Sequence, residues 1–352
     1  MKSFVINVGE GCRVWFCELE NLGNFVKGGK AIIISNKSIY ERYGANVRES
    51  LEASHVKNEY FEVPTGEGAK TFETLMSIYE ALFKGNYERN DYVIALGGGS
   101  VGDVAGFAAA TFKRGVNLAS IPTTLLAQAD SCIGGKTAIN YMGVKNMIGV
   151  FYQPKFVLID TSLLRSLPER EVKNGLMEIV KHAMINDEEL LVYLEENIEK
   201  IKKMEAMEKV LWKSCRIKGS IVEKDEKDRS TRLLLNYGHT VGHAIEAASG
   251  YEISHGEAVS MGMNYEAMFA EKQGLMKKED VERQRRMLIA IGMRIESDDK
   301  ILKDAIKLLE MDKKIINGEL RMALPKAIGK AVVKPVSVQE LEKFLEGQIS
   351  EK

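Results

Sequence analysis

Little in this sequence points outside a reducing, aqueous compartment. Cysteine is sparse: the 352 residues hold four, Cys12, Cys17, Cys132 and Cys215, and none forms a Cys-x-x-Cys pair. A chain of this length builds a core without disulfide staples, so reduced thiols in a cytoplasmic protein are expected. No stretch approaches the roughly 20 consecutive apolar residues of a membrane span. The opening residues, MKSFVINVGEG, lack the apolar core of a signal peptide, and none is expected. An excess of one charge is also missing: 49 Lys and Arg face 50 Asp and Glu, for a net charge of -1. Without a global basic field nucleic acid is not an expected partner, and an anionic ligand has to be gripped locally. Histidine is scarce as well, with five in all, so a cluster of them carries information.

What is present is an ordinary globular balance of 45% apolar and 28% charged residues. At roughly 100–200 residues per domain the length suggests two domains. The first half alternates short apolar runs, Ala31–Ser35, Tyr92–Leu96, Leu118–Ile121 and Phe156–Ile159, with amphipathic stretches such as Thr71–Phe83. That alternation predicts a mostly parallel sheet with helices on its faces. Beyond Leu167-Pro168 the period is helical, over 169–186, 188–203, 205–223, 239–249, 256–273, 278–291 and 299–310. An extended piece, Leu320–Pro335, and one more helix follow. The expected organisation is therefore an α/β, Rossmann-like nucleotide-binding domain over 1–168 and a helical domain over 169–352.

The run Tyr92–Leu96 leads straight into Gly97-Gly98-Gly99-Ser100-Val101-Gly102-Asp103. A strand feeding a glycine loop that opens a helix brings unpaired N–H groups and a positive dipole end to a phosphate. The letters satisfy G-x-G-x-x-G, a weak signal alone but a sound one in this context. No acidic residue ends a strand about 20 residues on, so the ribose contact is expected from the end of an earlier strand, around Asn36.

Four of the five histidines fall in the second half. His239 and His243 are four residues apart, which puts them on one helix face. His255 follows, and Glu178 stands on an earlier helix beside Lys181 and His182. Two histidines and one carboxylate leave a position open, the pattern of a catalytic zinc centre. Spacing leaves open which two histidines ligate and which does acid–base work. The pair lacks the Glu of His-Glu-x-x-His, so peptide hydrolysis is not expected. Basic groups also stand beside glycine and turn signals: Arg114 before Gly115, Lys136 after Gly134-Gly135, Lys145-Asn146 after Gly143, Arg232 four residues before Asn236, and Lys313-Lys314 after Asp312. Their grouping suggests a carboxylate or phosphate clamp.

With these motifs in place the chain closely resembles the 3-dehydroquinate synthase family of sugar phosphate cyclases, from about residue 60 to about residue 330. The likeness rests on Gly97–Gly106 and the following Phe107–Thr111, Thr123 to Gln128, Asp130 to Lys136, Lys145 to Gly149, Glu178 to Lys181, Leu235–His239 and His255 to Ala258. The resemblance implies an NAD domain followed by a helical metal domain, paired as a homodimer. It implies that Glu178, His239 and His255 hold Zn2+ or Co2+, with His243 as the acid–base histidine. A sugar phosphate substrate would meet Asp130, Lys136, Asn146, Lys181, Lys218, Arg232, Asn236 and one of Lys313 and Lys314, with Arg114 reaching it from the neighbouring subunit. NAD would meet Glu67, Lys70, Gly98, Gly99, Asp103, Thr123, Thr124 and Lys145. Three positions depart from the family pattern. Asn36 stands where an Asp is frequent for the adenosine ribose, Ser166 replaces a frequent Thr near the cofactor, and Asp228 replaces a common Glu. The alternatives are another sugar phosphate cyclase or a metal-dependent polyol or glycerol phosphate dehydrogenase. Lys218 and Arg232 argue against a substrate without a carboxylate, and Lys136 with Lys145-Asn146 argues against the dehydrogenase.

Overall fold

Continuous apolar runs become the centre of a parallel sheet. In the computed structural model, which describes residues 1–310 and 319–349, the chain divides into two compact units, Met1–Leu167 and Pro168–Lys352. Lys313 and Lys314 lie outside the described residues. The first unit contains β1 (Lys2–Ile6), β2 (Cys12–Phe16), β3 (Lys30–Ser35), α1 (Lys37–Ala53), β4 (Lys57–Glu62), α2 (Phe72–Lys84), β5 (Tyr92–Gly97), α3 (Gly99–Thr111), β6 (Asn117–Pro122), β7 (Lys136–Tyr141), β8 (Val144–Phe151) and β9 (Phe156–Ile159).

Seven strands form one sheet in the order β1-β2-β9-β6-β5-β3-β4. Its neighbours are parallel except β1, which runs antiparallel to β2. The four runs legible in the sequence are β3, β5, β6 and β9, all interior to the sheet. β5 is buried at every position, and a strand covered on both faces needs no polar alternation. The strands that escaped that reading lack such a run. β4 (KNEYFE) is an edge strand with no fully buried position, and β1 and β2 alternate buried with exposed or half-buried residues. Helices α2 and α3 cover one face through Leu75, Ile78, Val104 and Ala108. α1 covers the other through Val47 and Leu51.

From β3 the chain steps outward to β4, then returns to β5 on the other side of β3. The reversal lies between β3 and β5, where doubly wound folds bind nucleotides. Asn36 follows β3 and Gly98 follows β5, each as the N-cap of the next helix, so both flank this point. β7 and β8 form a separate antiparallel hairpin packed near α3.

The second unit is helical: α4 (Glu169–Asn186), α5 (Glu188–Lys202), α6 (Met207–Lys224), α7 (His239–Ala248), α8 (His255–Lys272), α9 (Lys278–Ile291) and α10 (Asp299–Glu310), then the hairpin β10 (Glu319–Ala327) and β11 (Lys330–Ser337), and α11 (Val338–Glu346). The extended piece of the sequence is thus two paired strands. α4 and α8 are buried along almost all their length, which makes them the centre of the unit. Ser254 starts α8 with a capping box to Glu257, which sets His255 on the first helical turn. Among the described residues no helix is long and apolar enough to cross a membrane.

Candidate active site

In the second unit three helices bring Glu178 (α4), His239 (α7) and His255 (α8) together. Glu178 is 2% exposed. Its Oε1 faces both imidazole Nε2 atoms, at 3.5 Å from His239 and 3.3 Å from His255, and its Oε2 pairs with the buried Lys181 Nζ. The ligand atoms of the three residues lie within 4.8 Å of one another. Each ring is held by its other nitrogen. His239 Nδ1 is 3.0 Å from the Tyr237 carbonyl oxygen, and His255 Nδ1 is 3.4 Å from Glu246 Oε2. Such outer contacts fix tautomer and orientation and leave both Nε2 atoms for a cation. His243, one turn after His239, is exposed, with its ring 5.1 Å from that of His239 and 5.9 Å from that of His255.

Burial by itself raises the Glu178 carboxyl, but Lys181, His239 and His255 hold it well below the ordinary range. Burial, then Lys181, lowers His239. An anionic carboxylate and a neutral imidazole are the forms that ligate a metal. Burial also works against a charge on His255, yet Glu178 and Glu246 outweigh it and push the imidazole up to about 9. The donor set suits zinc or cobalt: one carboxylate and two oriented imidazoles.

Three basic side chains of the same unit are buried: Lys181 at 2% exposure, Lys218 at 5% and Arg232 at 2%. Burying a cation is costly unless a counter-charge or ligand meets it. Lys218 therefore differs from Lys209 and Lys224 of the same helix, which are exposed. Arg232 and Asn236 lie in a 3-10 turn, Thr231–Asn236, so residues four apart do not share a face as they would on an α-helix. Arg232 is buried and Asn236 half-buried. The turn is held by Asp225, a residue the sequence reading passed over. Its carboxylate accepts the backbone N–H of Arg229 (3.0 Å), Ser230 (2.6 Å) and Arg232 (3.0 Å). Burial raises Asp225, but these donors outweigh it and bring the carboxyl down to about 2. A depressed folded pKa stabilises the fold above the ordinary value of 3.8, and that contribution is lost as pH falls towards 2. We therefore expect Asp225→Asn to flatten the loss of thermal stability between pH 4 and pH 2, read as Tm against pH for both proteins. An unchanged acid slope would rule out this role.

In the first unit the glycine loop opens α3 with Gly98 as its N-cap. A cavity lies against it, lined among others by Gly98, Gly99, Gly102, Asp103, Ser131 and Lys136. The third glycine of the motif, Gly102, is not a packing glycine: a Cβ there would meet nothing within 4 Å. The close approach falls instead at Gly106, where a Cβ would lie 2.4 Å from Thr137 of β7. The first N–H groups of the helix lack intrahelical partners, so an open cavity at this end fits a dinucleotide phosphate. Thr123 and Thr124 follow β6, and Thr124 Oγ1 accepts the Ala127 N–H at 3.1 Å. Asp130 sits in the π-helical turn Ala127–Ser131.

Glu67, Lys70, Asp103 and Asn146 form one cluster. Lys70, 3% exposed, lies 2.6 Å from Asp103 Oδ2 and 3.9 Å from Glu67 Oε2, and it contacts Asn146 Oδ1. Lys136 and Lys145 are exposed on the hairpin, and Arg114 is exposed after β-strand-flanking α3. Two nucleotide candidates are already engaged. Asn36 caps α1 by accepting the Ile39 N–H at 3.1 Å, and Ser166 Oγ is 2.6 Å from the Tyr43 hydroxyl. Asp228 has a left-handed backbone, φ 57°.

A glycine-loop nucleotide unit and a helical unit with a two-histidine, one-carboxylate centre place the chain among two-unit enzymes built for nucleotide and metal. Residues 60–174 match the family model described as 3-dehydroquinate synthase N-terminal, and residues 175–315 match its C-terminal counterpart. A 3-dehydroquinate synthase of Desulforamulus reducens is 43% identical over 319 residues, 88% of this chain and 89% of its own. The chain belongs to the 3-dehydroquinate synthase family. Among solved structures, a 2-deoxy-scyllo-inosose synthase complexed with carbaglucose-6-phosphate, NAD+ and Co2+ superposes with a TM-score of 0.88 at 28% identity, covering 98% of this chain and 99% of that one. A 2-epi-5-epi-valiolone synthase of Streptomyces hygroscopicus with NAD+ and Zn2+ bound gives 0.84 at 26%, covering 98% of each.

Proposed function

We propose that this chain converts 3-deoxy-D-arabino-heptulosonate 7-phosphate to 3-dehydroquinate and inorganic phosphate. The observation that carries the reading is the convergence of Glu178, His239 and His255 beside the buried Lys181, in a chain of this family. The net reaction is redox-neutral: phosphate leaves C7, a proton leaves C6 and one carbon–carbon bond closes the ring. When bound, NAD supplies a hydride acceptor restored within each turnover, and Zn2+ or Co2+ supplies a Lewis acid.

Glu178, His239 and His255 would hold the metal. Gly98, Gly99 and Asp103 at the start of α3, with Glu67, Lys70, Thr123, Thr124 and Lys145, would hold the nucleotide. Asn36 and Ser166 would contribute only through the atoms their hydrogen bonds leave over. Lys218 and Arg232 answer the substrate carboxylate. Asp130, Lys136, Asn146, Lys181 and Asn236 orient its hydroxyls and phosphate, joined by Lys313 or Lys314. His243 is assigned the proton transfer, since its exposed ring stands one helical turn from the ligand His239, 5.1 Å away ring to ring. Buried Lys218 and Arg232 favour a substrate with a carboxylate over a sugar phosphate without one.

The first unit's hairpin exposes Tyr141, Met142, Val144, Met147 and Val150. Apolar groups so concentrated support pairing into a homodimer, with Arg114 offered to the neighbour. The four free cysteines suit the cytoplasm.

The test is phosphate release from the metal-loaded protein with NAD far below the substrate concentration. We expect phosphate to exceed the NAD supplied many times over. Release that stops at one equivalent, or NADH accumulating on another polyol, would replace this reading with a dehydrogenase.

A further inference from the structure

We propose that Asn140 is a positioning residue, which ties the nucleotide-side carboxylate Glu67 to Asn146 and holds Asn146 in its left-handed conformation. The inference rests on the roles assigned above to Glu67, Lys70 and Asn146.

Asn140 lies near the end of β7, where the hairpin loses its regular pairing. Ile139 faces Ile148, but the next pair is Tyr141 and Val144. One residue of β7 therefore stands against three of β8, Lys145, Asn146 and Met147, which bulge out. At the middle of the bulge Asn146 has φ 56°. Asparagine adopts that left-handed backbone more readily than other residues with a Cβ, yet it still needs support from its surroundings. Asn140 provides it: its Oδ1 accepts the Asn146 backbone N–H at 2.9 Å.

The other end of the same amide donates to Glu67 Oε2 at 2.7 Å. The Asn140 backbone N–H donates to the Lys70 carbonyl oxygen at 2.8 Å. Lys70 Nζ in turn meets Asp103 and the Asn146 side chain. Asn140 thus touches each side of the Lys70 cluster without being one of its charged members. The amide orientation follows from its partners, because a carboxylate needs a donor and an N–H needs an acceptor. No isosteric side chain does both. Aspartate would set two carboxylate oxygens against each other, and leucine would leave both partners unmet.

The test compares Asn140→Ala, Asn140→Asp, Glu67→Gln and the double variant Asn140→Asp/Glu67→Gln in the full-length, metal-loaded protein. NAD affinity is measured by calorimetry. Loss of the bond to Glu67 is expected to weaken NAD about tenfold in Asn140→Ala and at least as much in Asn140→Asp. In the double variant the Gln amide donates to the Asp carboxylate, so the bond returns with reversed polarity. Its NAD affinity is expected to match that of Glu67→Gln alone. A double variant as weak as the product of the two singles would overturn the proposal. Amide hydrogen exchange at Asn146 needs neither cofactor nor substrate. It should quicken about tenfold in Asn140→Ala and stay slow in Asn140→Asp, which keeps the acceptor. Unchanged exchange in Asn140→Ala would also overturn it. If exchange responds as expected while the wild type releases no phosphate, the functional reading fails and the positioning of Asn146 stands.

Discussion

Replacing His239 with alanine is expected to cut the affinity for Zn2+ or Co2+ more than 100-fold and to abolish phosphate release at micromolar metal. Loss of an outer partner of a ligand costs about 10–100-fold in metal affinity, and removal of a ligand itself costs more. Glu178→Gln should weaken metal binding similarly, but with a second effect that His239→Ala lacks. Glu178 is the ion-pair partner of Lys181, and both side chains are 2% exposed. Removing one member of a buried pair costs about 3–5 kcal/mol, because the other charge remains buried. Of the two variants, only Glu178→Gln should therefore unfold markedly earlier in urea when metal-free. Metal affinity is read by competition with a chromophoric chelator, and stability by circular dichroism. A His239→Ala protein that still binds one metal as tightly as the wild type would remove this residue from the centre.

Glu266→Ala is expected to destabilise the second unit by about 4 kcal/mol and to weaken metal binding, although Glu266 is not among the residues that converge on the metal. Glu266 is on α8 and fully buried. Its carboxyl group, which burial pushes up to about 8, accepts the Gly238 N–H at 2.7 Å and the Val241 N–H at 3.0 Å. These belong to the first turn of α7, which presents His239 and His243, while the first turn of α8 presents His255. One buried carboxyl group therefore fastens the two histidine-bearing helices together. The join is close: a Cβ on Gly262 would lie 2.0 Å from the Gly238 carbonyl oxygen, and one on Gly238 would lie 2.4 Å from Met263 Cγ. Each buried N–H left without a partner costs about 1–3 kcal/mol, against a total stability of about 5–15 kcal/mol for a domain. Glu266→Gln keeps one acceptor oxygen and should fall between wild type and Ala. If Glu266→Ala unfolds with the wild type and binds metal equally well, α7 is held by other contacts.

The sequence by itself determined four of the interior strands, the helices of the second unit and the groups with chemistry to offer. Strands buried on both faces read as unbroken apolar runs, and α5, α9 and α10 read from their period because each packs one continuous side. The histidines stood out because there are so few. Edge strands such as β4 stayed hidden, since half-exposed residues carry no such run. Only the tertiary structure decided which groups meet. His239 and His243 share a helix face, yet Glu178, 61 and 77 positions from His239 and His255 in the numbering, turns towards His239 and His255 because α4 packs against α8 and α8 against α7. The supports were equally silent in the sequence. Asn140, Asp225, Glu246 and Glu266 form hydrogen bonds to groups whose nearness depends on a bulge, a turn or a helix crossing. Local pattern records how a segment is buried; hydrogen-bond partners are set by three-dimensional packing, which no local period encodes.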